Sequence, residues 1–237
     1  MGKFAVILAA AGKSSRFADP HQKKVFTRLG EKPMWMISAD LFSRRNDVGQ
    51  IIVVISPDDE PYFREKFGAS AALLGIDIVL GGAERADSVL CGLAKVKPEL
   101  EFVAVHDAAR PCVTDADVDN VFASAKTHGA AILATRCHST LKRGSSDKTI
   151  VETVPRDELW LAQTPQVFRT DLLKSAYEQH PSPSSATDDA AIVEATGQGV
   201  ALVEGSLLNI KVTTKSDLSV AKLALKATPQ SKPFPFG

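Results

Sequence analysis

The sequence predicts an α/β fold: a mostly parallel open sheet with helices on both faces, and a protruding β-arm. Three observations point to it. Short apolar runs rich in β-branched residues alternate with amphipathic stretches of helical length. Small residues or a carboxylate stand directly after several of these runs, and one segment beyond the middle of the chain breaks the alternation.

Taken in order, Phe4 to Leu8 reads as a buried strand, followed by a helix near Trp35 to Arg44, a strand at Gln50 to Ile55 and a helix near Pro61 to Phe67. A strand at Asp77 to Leu80, a helix near Arg85 to Lys95, a strand at Phe102 to His106, a helix near Asp115 to Thr127 and a strand at Ala130 to Ala134 continue the pattern. Between Thr140 and Val154 two β-branched limbs flank Gly144-Ser145-Ser146-Asp147, which is a hairpin signal. A lone two-stranded hairpin is marginal in water, so this arm is expected to pack on something else, such as a second subunit. Beyond it the chain predicts a helix near Asp171 to Gln179, a loop at Pro181 to Ser185, a strand around Ile210 to Thr213 and a helix from Asp217 to about Ala227. Residues 1–227 are read as one domain with the arm at about 138–156, and 228–237, with three prolines, as a loose tail.

Composition narrows the chemistry. A hydrophobic content of 44% in 237 residues suits a self-sufficient core. Basic and acidic residues balance at 28 each, which gives no electrostatic case for nucleic acid or a membrane surface; any anion site must come from a local cluster. Cys91, Cys112 and Cys137 are widely spaced and odd in number, against both a disulfide framework and a zinc site, so a reducing cytoplasm is the expected location. Lys3 with the apolar run Phe4 to Ala11 also has the outline of a secretory signal, but the run leads into a glycine turn, which a first strand explains better.

Three loops carry candidate chemistry. In Ala9-Ala10-Ala11-Gly12-Lys13-Ser14-Ser15-Arg16, small side chains let backbone N–H groups approach a phosphate or a base edge. A Walker A loop would need glycine at Ile7, and a dinucleotide fingerprint would need glycines at Ser14 and Phe17, so both fail. What remains is a loop followed by the cations Arg16 and Lys23-Lys24, able to surround a triphosphate, with a solvated turn as the plain alternative. Gly81-Gly82-Ala83-Glu84-Arg85-Ala86-Asp87-Ser88 opens a helix and offers further backbone donors and a hydroxyl. Val105-His106-Asp107-Ala108-Ala109-Arg110-Pro111 ends a strand in a carboxylate. Asp107 is placed to hold Mg²⁺ against substrate phosphates, or else to pair with Arg110.

The phrases A-A-G-x-x-x-R, G-G-x-E-R-A-D-S-V, H-D-A-A-R-P, T-x-K-R, L-W-x-A-x-T-P-Q and N-I-K-V-T, in this order from about Phe4 to Leu225, resemble the 2-C-methyl-D-erythritol 4-phosphate cytidylyltransferase family. The resemblance implies a Rossmann-like nucleotidyltransferase that moves CMP from CTP to methylerythritol phosphate in the non-mevalonate isoprenoid pathway, with Mg²⁺ and as a homodimer that exchanges its β-arms. It implies that Arg16 and Lys24 stabilise the transition state at the α-phosphorus, that Arg156 and Lys211 position the acceptor, and that Thr140 lies near it. Ala10, Ala11, Gly12, Gly82 and Ser88 would meet the cytidine, with Asp107 and Ala108 nearby. Lys24, two residues before Phe26, fits the family's K-x-[YF] better than Lys23 does. The chain departs from the usual pattern at Ser14, Ala83 and Leu208. A ribitol 5-phosphate cytidylyltransferase of the same fold, and a nucleotide-binding protein without activity, are the alternatives.

Overall fold

The structure, a computed structural model, describes residues 2–12, 17 and 23–227. The tail expected at 228–237 and the residues Ser14 and Arg16 lie outside the described residues.

The elements are β1 (Phe4–Ala9), the short pair β2 (Arg28–Leu29) and β3 (Lys32–Pro33), α1 (Met34–Ser43), β4 (Val48–Ile55), α2 (Glu60–Leu73), β5 (Ile76–Leu80), α3 (Arg85–Leu93) and β6 (Phe102–Asp107). They continue with α4 (Asp115–His128), β7 (Ala130–Arg136), β8 (Leu141–Gly144), β9 (Ile150–Val154), β10 (Trp160–Arg169), α5 (Thr170–Gln179), α6 (Asp189–Glu194), β11 (Ala201–Glu204) and α7 (Lys215–Ala227). Seven strands form one sheet in the order β11-β7-β10-β6-β1-β4-β5. All its pairings are parallel except those of β10, which runs antiparallel to both β6 and β7.

Alternation along β1 divides the core. Phe4, Val6 and Leu8 face one hydrophobic layer with buried residues of α1, α2, α4 and α7, while Ala5 and Ile7 face another with α3, α5 and α6. Successive strand side chains point to opposite faces, so a strand covered by helices on both sides must be apolar at every position, which is why β1 reads as an unbroken run. Helix ends follow local chemistry. At α4 the Thr114 hydroxyl accepts from the Asp117 N–H (3.1 Å) and the Asp117 carboxylate accepts from the Thr114 N–H (3.0 Å). Gly129, at φ 82°, ends the helix in the left-handed conformation that glycine adopts without steric cost.

The predicted hairpin is present as the separate two-stranded sheet β8-β9, with Ile150 and Val151 exposed. Several elements differ from the sequence reading, among them the short pair β2-β3, which was not expected. β10 was not expected: its centre, Gln163-Thr164-Pro165-Gln166, contains proline and polar residues, yet it is buried, and Pro165 falls where the pairing register with β7 shifts. α6 and β11 are too short to announce themselves by periodicity. The strand expected at Ile210 to Thr213 is irregular chain instead; the Val212 N–H bonds to the Ala109 carbonyl (2.8 Å) without joining a ladder. No helix among the described residues is long and apolar enough to cross a membrane.

Candidate active site

Parallel strands β1, β5 and β6 end on the same edge of the sheet, where open α/β sheets place their ligands. The loops after them enclose a cavity of about 310 Å³, closed by Lys24 on one side and by Lys211 and Thr213 of the segment before α7 on another. Of the residues expected at a nucleotide site, Ala11, Gly12, Lys24, Gly82, Ser88, Asp107 and Lys211 line this cavity. Gly82 is held close to the start of α3: a Cβ there would lie 2.5 Å from the Asp87 Cβ. Ser88 turns its hydroxyl onto the Glu84 carbonyl (3.0 Å).

Ala10 and Ala108 depart from the expectation. Both are buried behind the wall, and their N–H groups are committed to the sheet: Ala10 donates to the Val54 carbonyl (2.9 Å) and Ala108 to the Ala9 carbonyl (3.2 Å). They cannot also offer those donors to a ligand. Thr140 and Arg156 are exposed at the base of the arm and do not line the cavity of their own chain; the Arg156 guanidinium donates to the His138 carbonyl. The adjacent lysines are separated by their surroundings. Lys23 pairs with Asp59 at 2.7 Å, whereas Lys24 faces the cavity.

The centre of the site is a carboxylate among cations. Asp107, at the tip of β6, has Lys211 Nζ at 2.7 Å, Arg85 Nε at 3.4 Å and Arg110 Nε at 3.8 Å. Burial alone would raise its carboxyl, but the Arg85 and Lys211 charges, the Lys211 hydrogen bond and the Arg110 charge together hold it well below the usual carboxylate range. Arg85 is also paired with the buried Asp189, so three cations face two carboxylates and the cluster keeps a surplus of one positive charge. Sequence reasoning offered Arg110 as the alternative partner of Asp107, which the structure shows at 3.8 Å, but gave no role to Arg85 or Thr213; the charge in G-G-A-E-R was visible, but its aim was not.

Buried polar side chains fix this cluster from beneath. The Asp107 N–H donates to Thr164 Oγ1 (3.0 Å), which lies 3.0 Å from His106 Nδ1, and His106 Nε2 lies 3.1 Å from the Arg110 carbonyl. Since a carbonyl only accepts, His106 carries its proton on Nε2 and accepts a hydrogen bond from the Thr164 hydroxyl at Nδ1. Asn209, fully buried, donates its side-chain amide to the Gln163 side chain (3.1 Å) and the Thr164 carbonyl (3.0 Å), and its backbone carbonyl accepts from Arg110 Nη1 (2.7 Å). That anchor sets Lys211, two residues on, against Asp107. Burial pushes His106 down to about 4 and keeps it neutral. The unfolded chain therefore binds this proton first on acidification, near pH 6.5, and stability present above that pH is lost as pH falls towards 4, by about 3 kcal/mol. Urea unfolding of His106→Asn should lack most of the wild-type loss between pH 6.5 and 5; an equal loss in both proteins would contradict this assignment.

A local positive surplus, small-residue loops and the carboxyl edge of a parallel sheet define a nucleotide-binding α/β enzyme of the nucleotidyltransferase class. A sequence model of 2-C-methyl-D-erythritol 4-phosphate cytidylyltransferase matches residues 4–227, and the chain belongs to that family. Relatives of that description include proteins from Rhodopirellula baltica, 42% identical over 231 residues covering 93% of each chain, and Pelotomaculum thermopropionicum, 38% identical over 232 residues covering 96% of each. The crystal structure of the Thermus thermophilus 2-C-methyl-D-erythritol 4-phosphate cytidylyltransferase superposes with a TM-score of 0.74 at 33% identity, covering 94% of this chain and 99% of that one.

Proposed function

We propose that the protein transfers CMP from CTP to 2-C-methyl-D-erythritol 4-phosphate, releasing pyrophosphate. The observation that carries this, beside family membership, is the convergence of Lys24, Arg85 and Lys211 on a cavity walled by the β1 and β5 loops. A phosphate oxygen of the acceptor forms the new bond to the α-phosphorus of CTP, and the bond from that phosphorus to the pyrophosphate oxygen breaks. The acceptor brings its own anionic nucleophile, so no side-chain nucleophile is needed and His106 is left to its structural bonds. Catalysis then rests on bringing two anions together and on charge fixed in advance. Lys24 and Lys211 supply such charge, and Asp107 aims Lys211 and Arg85.

Asp107 does not fit a protein-anchored metal site. A dication there would meet three positive groups, and among the described residues no set of three or more His, Cys, Asp or Glu could hold one. Mg²⁺ is commonly held by one or two carboxylates together with substrate phosphates; with Asp107 engaged by three cations, a divalent ion used here is assigned to the triphosphate.

The arm gives Thr140 and Arg156 their role if it reaches a second copy of the chain. Ile150 and Val151, exposed on the arm, supply apolar surface for that contact. Mixing subunits bearing Arg156→Ala with subunits bearing Lys24→Ala should restore activity in hybrid dimers that neither parent has; no recovery under conditions of subunit exchange would exclude sharing between subunits.

The activity is tested by following pyrophosphate with CTP, a divalent cation and one acceptor at a time. Release with methylerythritol phosphate and not with ribitol 5-phosphate is expected; the reverse would move the protein to the other acceptor.

A further inference from the structure

We infer that Asp189, which lies outside the cavity, is the positioning residue for Arg85 and thereby sets how tightly the nucleotide is held, an inference that rests on the nucleotidyl transfer proposed above. Arg85 is the first residue of α3, beside the loop that lines the cavity, and its guanidinium is stretched between two carboxylates: Nε faces Asp107 at 3.4 Å and Nη2 donates to Asp189 Oδ2 at 2.8 Å. Asp189 is fully buried, and every group around it restricts its movement. Its second oxygen accepts from the Tyr177 hydroxyl (2.7 Å), and its backbone N–H donates to Gln166 Oε1 (3.1 Å), which also accepts from the Ala190 N–H (3.0 Å).

A buried ion pair adds little to stability, because desolvating both charges offsets their attraction; its use lies in direction. Without the Asp189 charge, Arg85 would have only Asp107 to face, in competition with Lys211 at 2.7 Å. Asp189 draws one edge of the guanidinium away from that carboxylate. Arg85 and Lys211 then occupy separate places around Asp107, and the nucleotide meets a preformed surface. Such an effect acts on nucleotide binding in the ground state and the transition state alike.

In steady-state kinetics with both substrates, Asp189→Asn should raise KM for CTP about tenfold, with kcat within about threefold and the acceptor KM unchanged. Tyr177→Phe, which keeps the ion pair and removes one hydrogen bond, should raise KM for CTP about two- to threefold. Combining Asp189→Asn with Arg85→Ala should raise it no further than Arg85→Ala alone. A purely structural role would instead lower apparent kcat through lost active protein and leave KM intact. That pattern, an unchanged KM for CTP, or additive effects in the double variant would overturn the inference. If Asp189→Asn fails to fold, Tyr177→Phe decides, and an unchanged KM for CTP in it overturns the inference. Calorimetric titration of CTP alone into wild type and variants separates the two levels: a silent wild-type enzyme that binds CTP would sink the transfer reaction, while the shift in dissociation constant still tests Asp189.

Discussion

Lys24→Ala is expected to lower kcat about 10²–10³-fold, by analogy with removing one preorganised donor from a transition state, while Lys23→Ala leaves turnover within about threefold of wild type. The two lysines are neighbours in sequence but not in chemistry. Lys23 is pinned to Asp59 at 2.7 Å, and Lys24 opens the three-residue turn Lys24–Phe26, whose Val25 and Phe26 are buried. Burying the two residues that follow holds the Lys24 backbone against the cavity mouth. Pyrophosphate release at saturating CTP and acceptor measures both variants. Loss of turnover in Lys23→Ala with retention in Lys24→Ala would reverse the assignment.

Asp107→Asn is expected to weaken the ligand-free fold by about 2–3 kcal/mol, somewhat less than the cost of breaking a fully buried ion pair, because its cations keep some contact with water. Removing the carboxylate leaves Arg85, Arg110 and Lys211 facing each other across a nearly buried position. The wild-type carboxyl ionises well below the ordinary value, so its contribution is present above about pH 4 and lost as pH falls further; the gap between the two proteins should close in acid. CTP, which brings negative charge to the same place, should raise the melting temperature of the variant more than that of wild type. A ligand whose only task was to bind metal would leave the metal-free protein as stable as before, so an unchanged urea midpoint for Asp107→Asn would disprove the ion-pair role.

Five of the seven strands, β5, β4, β1, β6 and β7, were legible in the sequence, because strands packed under helices are apolar at most positions and the helices between them carry a different period. β10 was hidden for a physical reason. Its buried centre is polar, since Gln163, Thr164 and Gln166 spend their side chains on the 205–213 segment, on His106 and on α6, so burial there leaves no hydrophobic trace. The same holds for the site. Residues on strand-end loops, such as Gly82 and Asp107, could be found from local pattern, whereas Lys211 was named only through the family resemblance. Arg85 could not be given a task, because its partner Asp189 stands 104 positions away on a helix of six residues. Ala10 and Ala108 were named through the family resemblance, which does not reveal that neighbouring strands already claim their N–H groups.

The late strand β10 also orders events during synthesis. By residue 107 a ribosome has delivered four adjacent strands, β5, β4, β1 and β6, but β7 and β11 can join them only through β10, which is complete at Arg169. Until then β6 presents a bare edge, and β7 waits without a neighbour on either side. A released chain ending at residue 158 would expose both ladders to other chains, the condition under which strands pair with strangers. The two halves of the sheet therefore stay apart until β10 has left the ribosome and inserted between β6 and β7.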